Sequence, residues 1–324
     1  MNVGVLGAGR IGTIVVPTIQ KTEGLCCLGV ASRSAERAAE YAKTFGIPKS
    51  YGSYQEMMED PEIDLIYIAT PHSHHFEQMM ACLEHGKPVL CEKSFTANAA
   101  QAQKVLEYAK ERQVYTAEAI WTRYQPSRKI IQDMIESGIV GKIHALNATL
   151  SYAISDKERM VRRDLCGGAL LDVGVYGLNF ALMHFGNDIE KVESSVLMTE
   201  DGVDGHENIT LFFSGGRMAS IQAGMYCRSD RQGIFYGEKG YITVENINNP
   251  QKVTAYDDND RLLKQVVVPE QITGYEYEFL EAKQRIQEGQ WESASMPLHE
   301  SVFVMKLMDE IRSQWGLRYP ADEE

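Results

Sequence analysis

Over residues 1–118, short apolar runs alternate with longer segments of helical spacing. The runs are NVGVL, CCLGVA, IDLIYIA, PVLCE and VYTAEA, and the helical segments cover 10–20, 34–44, 73–85 and 98–112. Apolar runs this short read as strands buried on both faces, as in a parallel sheet. Parallel neighbours need a crossover connection, and the helical segments supply it. The expected result is a doubly wound sheet with right-handed crossovers. Ser34 is placed to cap the second helix, with Glu36 in its first turn.

After about Glu118 the rhythm changes. A helical segment over 125–137 leads into the alternating strand KIHALNATLSYA, and a second helix spans 174–185. Strand patterns then follow one another without intervening helices, separated by turns such as Ser214-Gly215-Gly216 and Asp257-Asp258-Asn259. Helices over 275–288 and 298–315 close the chain. At 324 residues the chain exceeds what one core usually holds. The expected fold is therefore α/β in two parts. Residues 1–118 form a Rossmann dinucleotide-binding domain. Residues 119–324 form an α+β domain with a large, mainly antiparallel open sheet for substrate binding and oligomerisation. Such a one-sided sheet buries its free face well against a twin, so a homodimer is the expected assembly.

Composition removes several alternatives. With 32 Lys+Arg against 45 Asp+Glu, the formal charge is −13. That argues against a broad grip on nucleic acid or anionic lipid. No stretch approaches the roughly 20 uninterrupted apolar residues of a membrane span, and the N-terminus reads as a strand rather than an export signal. The six cysteines form no CxxC pair. They read as reduced thiols of a cytoplasmic protein.

The opening MNVGVLGAGRIG places Gly7, Gly9 and Gly12 between an apolar strand and a helix, with Arg10 and Ile11 inside the pattern. In that context the glycines read as a dinucleotide cradle. Gly7 permits the tight turn, Gly9 lets a pyrophosphate approach the backbone, and Gly12 lets helix and strand pack closely. The helix N-terminus offers N–H groups and a positive dipole to the anion. The second strand ends in Ala31-Ser32-Arg33-Ser34, with Arg37 one turn on, where an NAD site usually carries an acidic residue. Ser32 can hydrogen-bond a 2′-phosphate, and Arg33 can pair with it or stack on adenine. This chemistry favours NADP, with NAD as the alternative. His72, His74 and His75 follow the IDLIYIA strand without an ordered set of further ligands. No metal is expected, and His75 is assigned to the cofactor cleft.

Three more stretches, ATPHSHH (69–75), LCEKSF (90–95) and GGALLDVGVYGL (167–178), carry a recognisable pattern. With the glycine turn they resemble the glucose-fructose oxidoreductase / inositol dehydrogenase (Gfo/Idh/MocA) family of NAD(P)-dependent oxidoreductases. AEAIWTRYQP (117–126), together with Tyr176, makes the chain most similar to the dimeric dihydrodiol dehydrogenase branch. That branch oxidises vicinal diols and some sugars with NADP. The resemblance implies that Glu92-Lys93-Ser94 is the family's Glu-Lys-Pro motif, with Lys93 catalytic beside the nicotinamide. It implies that Asp172-Val-Gly174-Val-Tyr176 supplies Tyr176 as proton donor and acceptor. Thr70 and Pro71 match the cofactor-contacting turn, and Trp121 and Arg123 match the substrate-facing part of the branch motif. The chain departs from most members in having Tyr176 in place of histidine and Ser94 in place of proline.

The chemistry is coherent. Oxidising an alcohol needs a hydride acceptor and a base for the hydroxyl proton. A free phenol, with a pKa of about 10, is a poor base at neutral pH. A neighbouring ammonium stabilises the phenolate, so Lys93 beside Tyr176 makes a workable pair. Asp172, four residues before Tyr176, can orient the lysine or a second substrate hydroxyl. The expected activity is hydride transfer between NADP and a secondary hydroxyl of a small sugar, polyol or vicinal diol, bound between the two domains. A dinucleotide-sensing regulator without turnover is the alternative on this fold.

Overall fold

A computed structural model of the chain describes residues 1–323. They form two compact units, one holding Met1–Tyr124 with Gln271–Met305, the other Gln125–Glu270 with residues from Lys306 onward.

The first unit is built on a sheet of β1 (Asn2–Leu6), β2 (Cys26–Ala31), β3 (Lys49–Tyr51), β4 (Leu65–Ile68), β5 (Val89–Glu92) and β6 (Thr116–Ala119). Its order is β3-β2-β1-β4-β5-β6, and every pairing is parallel. The order reverses between β1 and β4, the place where open sheets of this kind leave a ligand crevice beyond the strand ends. The connecting helices are α1 (Gly12–Lys21), α2 (Ala35–Phe45), α3 (Tyr54–Glu59), α4 (His75–Glu84) and α5 (Ala99–Arg112). Ser34 caps α2 as expected, accepting the Arg37 backbone N–H at 3.2 Å, and Asn98 caps α5 through Gln101 N–H at 2.9 Å. The pair β3 and α3 was not anticipated, because KSY is too short to show a periodicity.

A single boundary after residue 118 does not describe the packing. Helix α9 (Glu276–Gln287), far along the chain, puts Phe279 and Ala282 into one core with Val3, Val5, Ile19 and Tyr67. Thr116 N–H also donates to the Trp291 carbonyl at 2.9 Å. The segment 271–305 thus completes the first unit, because α9 has its apolar face there.

The second unit carries α6 (Pro126–Glu136), β7 (Ile143–Ser151), α7 (Glu158–Val161), α8 (Val175–Phe185) and seven further strands. These are β8 (Ile189–Met198), β9 (Asp204–Phe213), β10 (Arg217–Gly224), β11 (Gly233–Gly237), β12 (Gly240–Val244), β13 (Lys252–Asp257) and β14 (Leu262–Val267). The sheet order is β14-β13-β12-β11-β7-β10-β9-β8. Only β7 and β10 pair in parallel, so the mainly antiparallel sheet is as expected. Helix α8 packs on it through rings: Phe180 lies 5.4 Å from Phe235, and Phe185 lies 5.4 Å from Phe213. The stretch Arg163–Phe185 is long and apolar enough to cross a membrane by composition, but 94% of its apolar window is buried inside the fold. It is a core helix. Helix α10 (Leu298–Trp315) closes the chain.

Phe279→Ala should destabilise the protein by about 3–5 kcal/mol, the usual loss for removing a fully buried ring. Urea denaturation measures it, and a loss below about 1 kcal/mol would contradict the assignment of α9 to the first core.

Candidate active site

The glycine turn begins where β1 ends. Gly7 has φ +116°, and a Cβ there would lie 2.9 Å from the Ala69 carbonyl oxygen. A side chain is excluded by conformation and by space. At Gly9 an added Cβ would meet only that same oxygen, at an ordinary 3.5 Å. The protein's own packing therefore does not demand glycine at residue 9; a closely approaching pyrophosphate does. A Cβ on Gly12 would lie 2.5 Å from the Tyr41 hydroxyl of α2 and 3.9 Å from the Gly7 carbonyl oxygen just past β1. Arg10 is exposed and Ile11 half-buried just ahead of α1, whose first amides have no acceptor within the helix. The turn fits a dinucleotide diphosphate.

At the end of β2, Ser32 is buried and Arg33 exposed. The Arg37 guanidinium donates to the Ala8 carbonyl at 2.8 Å, which ties the second helix to the glycine turn. Burial raises the pKa of the Tyr54 phenol, while the charges of Arg33 and Arg37 pull it down. Both guanidinium charges thus act on the Tyr54 hydroxyl, and such groups are the donor types a 2′-phosphate requires. Tyr54 had no signal in the sequence, since it opens the unanticipated α3.

The ends of β4 and β5 are pinned together by His75. Its Nδ1 lies 2.9 Å from the Ser94 carbonyl and its Nε2 lies 2.9 Å from the Thr70 carbonyl. Burial drives this histidine down to about 4 against the opposing pull of the two carbonyls, so the ring is neutral at physiological pH and its one N–H donates to only one of them. Thr70 also donates to Gln78 at 2.6 Å, which orders the turn that Pro71 continues. The Lys93–Ser94 peptide is cis. Glu92, also buried, accepts a short hydrogen bond from the Tyr67 hydroxyl and another from Lys93 N–H at 3.3 Å. His75 therefore acts as a strut for the lysine turn.

Trp121 and Arg123 are both interior to the first unit. The indole stacks on Tyr275 at 4.1 Å and 1°, and the guanidinium pairs with Glu300 at 3.1 Å. Both are engaged in packing within that unit. Beside them Glu118 is fully buried, and desolvation pushes it up to about 7 against the pull of Ser301 and Arg123. Glu118 gave no sequence signal because it lies inside an apolar strand.

In the second unit a π-helical turn, Leu170–Gly174, runs directly into α8 and carries Asp172 and Tyr176 into buried positions. Both Asp172 oxygens are held by Arg159, at 3.0 Å each. That guanidinium comes from α7 and is a partner for Asp172 beyond the lysine or substrate hydroxyl expected for it. Arg159 was missed because nothing in ERM marks it. Among the described residues, no group of three or more His, Cys, Asp or Glu is placed to hold a metal ion.

A parallel domain with a diphosphate-fitting glycine turn, followed by a mixed open sheet, defines a two-domain Rossmann oxidoreductase architecture. The comparisons carry this further. Residues 1–119 match the oxidoreductase family with an NAD-binding Rossmann fold, and 129–243 match the GFO/IDH/MocA C-terminal domain. The chain belongs to the GFO/IDH/MocA family. It is 31% identical to a trans-1,2-dihydrobenzene-1,2-diol dehydrogenase of Xenopus tropicalis, over 98% of each chain. It is 35% identical to a D-xylose 1-dehydrogenase (NADP(+)) of Hypocrea jecorina, over 90% of this chain and 83% of that one. Among solved structures it is similar to KijD10, a 3-ketoreductase from Actinomadura kijaniata in complex with NADP and TDP-benzene. That match has a TM-score of 0.89 and 25% identity over 97% of each chain.

The strut makes a pH prediction. The folded pKa of His75 is depressed below the unfolded value of about 6.5, so the unfolded chain binds the extra proton. Its contribution is fully present above pH 6.5 and is lost as pH falls toward 4, on the order of 3 kcal/mol across that window. Urea titrations at stepped pH should show this slope in the wild type and a flatter one in His75→Gln; equal slopes would count against it.

Proposed function

We propose that the protein transfers a hydride reversibly between NADP and a secondary hydroxyl of a small sugar, polyol or vicinal diol. The observation that carries this reading is Lys93, presented at the carboxyl end of β5 on a turn braced by His75, in the same unit as a glycine turn shaped for a diphosphate. The diol and xylose dehydrogenases to which the chain is similar support the substrate class.

When bound, the nicotinamide supplies the hydride acceptor. The chain's residues do the rest. Gly7, Gly9 and the opening of α1, with Arg10 and Ile11, hold the diphosphate. Ser32, Arg33 and Arg37 hold the 2′-phosphate, and Thr70, Pro71, His75 and Glu92 shape the wall beyond it. The Lys93 ammonium stabilises negative charge developing on the substrate oxygen, and Tyr176, as the phenolate, takes the departing proton and becomes the phenol. Asp172, anchored by Arg159, keeps the Tyr176 turn in register. Trp121 and Arg123 set the floor of the substrate side.

A homodimer completes the proposal. Leu197, Leu262 and Val267, on the two outer strands β8 and β14, are 60–67% exposed, an unusual load of apolar surface for strands facing water. Six free thiols are consistent with a cytoplasmic protein.

Incubating the protein with NADP and a panel of polyols, sugars and diols should raise the absorbance of reduced nicotinamide. Lys93→Met should lower kcat by about 10³-fold or more while leaving NADP affinity nearly unchanged. Retained activity would remove the lysine from the mechanism, and tight binding without turnover on any compound would favour a sensor. Arg33→Ala should weaken NADP by about 10- to 100-fold, the range of one charge-assisted contact, and change NAD little. Equal losses for both cofactors would overturn the 2′-phosphate assignment.

A further inference from the structure

Beneath the π-helical turn lies a pair of acids that the reaction scheme does not use. Asp204 and Glu207 project from β9, and both are fully buried. Asp204 Oδ2 accepts the Leu170 N–H at 2.5 Å, at the first residue of the turn. At the two ends of the turn the acids touch bare backbone. A Cβ on Gly168 would come within 2.0 Å of Asp204 Oδ1, and one on Gly174 within 2.6 Å of Glu207 Oε1. Gly168 also has φ +119°. Just upstream, the Tyr319 hydroxyl donates to the Gly167 carbonyl at 2.6 Å. The segment carrying Asp172 and Tyr176 is thus seated on carboxyl groups with no room for a side chain between.

Two anions cannot share this dry site. Burial, then the charge of Asp204, pushes the Glu207 carboxyl far above the ordinary range, so Glu207 carries a proton. Burial raises Asp204 too, but only to about 6, because backbone amides of the turn hydrogen-bond its anion. At neutral pH the pair holds one proton and one negative charge. That charge sits at the N-terminal end of the Leu170–Phe185 helical run, where an anion is stabilising. An apolar pair of equal volume fills the space but caps nothing.

We propose that Asp204 and Glu207 are positioning residues for the reaction: a buried carboxyl pair that braces the Leu170–Gly174 turn and so fixes Asp172 and Tyr176. This rests on the oxidoreductase reading above, in which Tyr176 moves the substrate proton. A displacement of about 1 Å in such a group can lower turnover by about 100-fold.

The test compares Glu207→Gln with Glu207→Leu, both near the original volume. Glutamine keeps a neutral polar head of the same shape against Gly174, so kcat should stay within about threefold of wild type; leucine should lower kcat by about 100-fold. NADP affinity, which depends on the first unit, should change less than about twofold in both. The readout that separates bracing from mere packing is this rescue by glutamine. Equal loss in the two variants, or wild-type kcat in the leucine variant, overturns the proposal. Should Glu207→Leu fail to fold, Asp204→Asn replaces it. A kcat unchanged in that variant, with NADP binding intact, has the same force. Hydrogen exchange of the Ala169 and Leu170 amides reads the brace without any turnover. Protection in the wild type and Glu207→Gln, lost in Glu207→Leu, supports the brace even where no substrate is oxidised. In that case the oxidoreductase reading falls and the brace stands. Unprotected amides in the wild type refute the brace.

Discussion

The backbone of Gly7 lies against the carbonyl of Ala69, and the cofactor half of the site depends on that approach. It brings the end of β1 beside the end of β4, on the two sides of the point where the sheet order reverses. The same carbonyl faces the bare position at Gly9. From there the contacts run outward: Ala8 to the Arg37 guanidinium, and Thr70 through the His75 ring to the lysine turn. Backbone oxygens, bridged by these side chains, thus carry the geometry of β1 to the turn that holds Lys93.

A second regularity is the use of buried carboxyl groups beneath functional turns. Glu92 lies under Lys93 with Tyr67 hydrogen-bonded to it, and Glu278 is buried near enough to Glu92 for their charges to push Glu278 upward after desolvation. Asp204 and Glu207 do the corresponding work in the other unit. Such groups are expensive to bury. Glu92 and Asp204 each accept a backbone N–H there, a partner that an apolar side chain cannot provide.

Much of this was legible in the residues. The parallel sheet followed from apolar runs too short to be helices, the α2 cap from Ser34, and the antiparallel character of the second sheet from strands following one another directly. The motifs singled out Gly7, Lys93, Asp172 and Tyr176 as candidates. What stayed hidden shares a physical cause. Tyr54, Glu118, Arg159, Asp204 and Glu207 act through neighbours distant in sequence, and a lone polar residue in a strand or short helix looks the same whether it is solvated or buried. Gly12 shows the limit from the other side: besides the backbone at the end of β1, it faces a tyrosine on α2 that nothing in the sequence marks.

The return of residues 271–305 to the first unit has a consequence for how the chain comes into being. As the polypeptide leaves the ribosome, the strands of the parallel sheet emerge early, yet the helix bearing Phe279 and Ala282 arrives only after the entire second sheet has been made. Until then the hydrophobic surface that α9 will cover stays wet, and closing that gap spans more than half the chain. The first unit is therefore begun before the second sheet is made and completed only after it. Its nascent form needs protection from aggregation throughout synthesis of the middle of the protein.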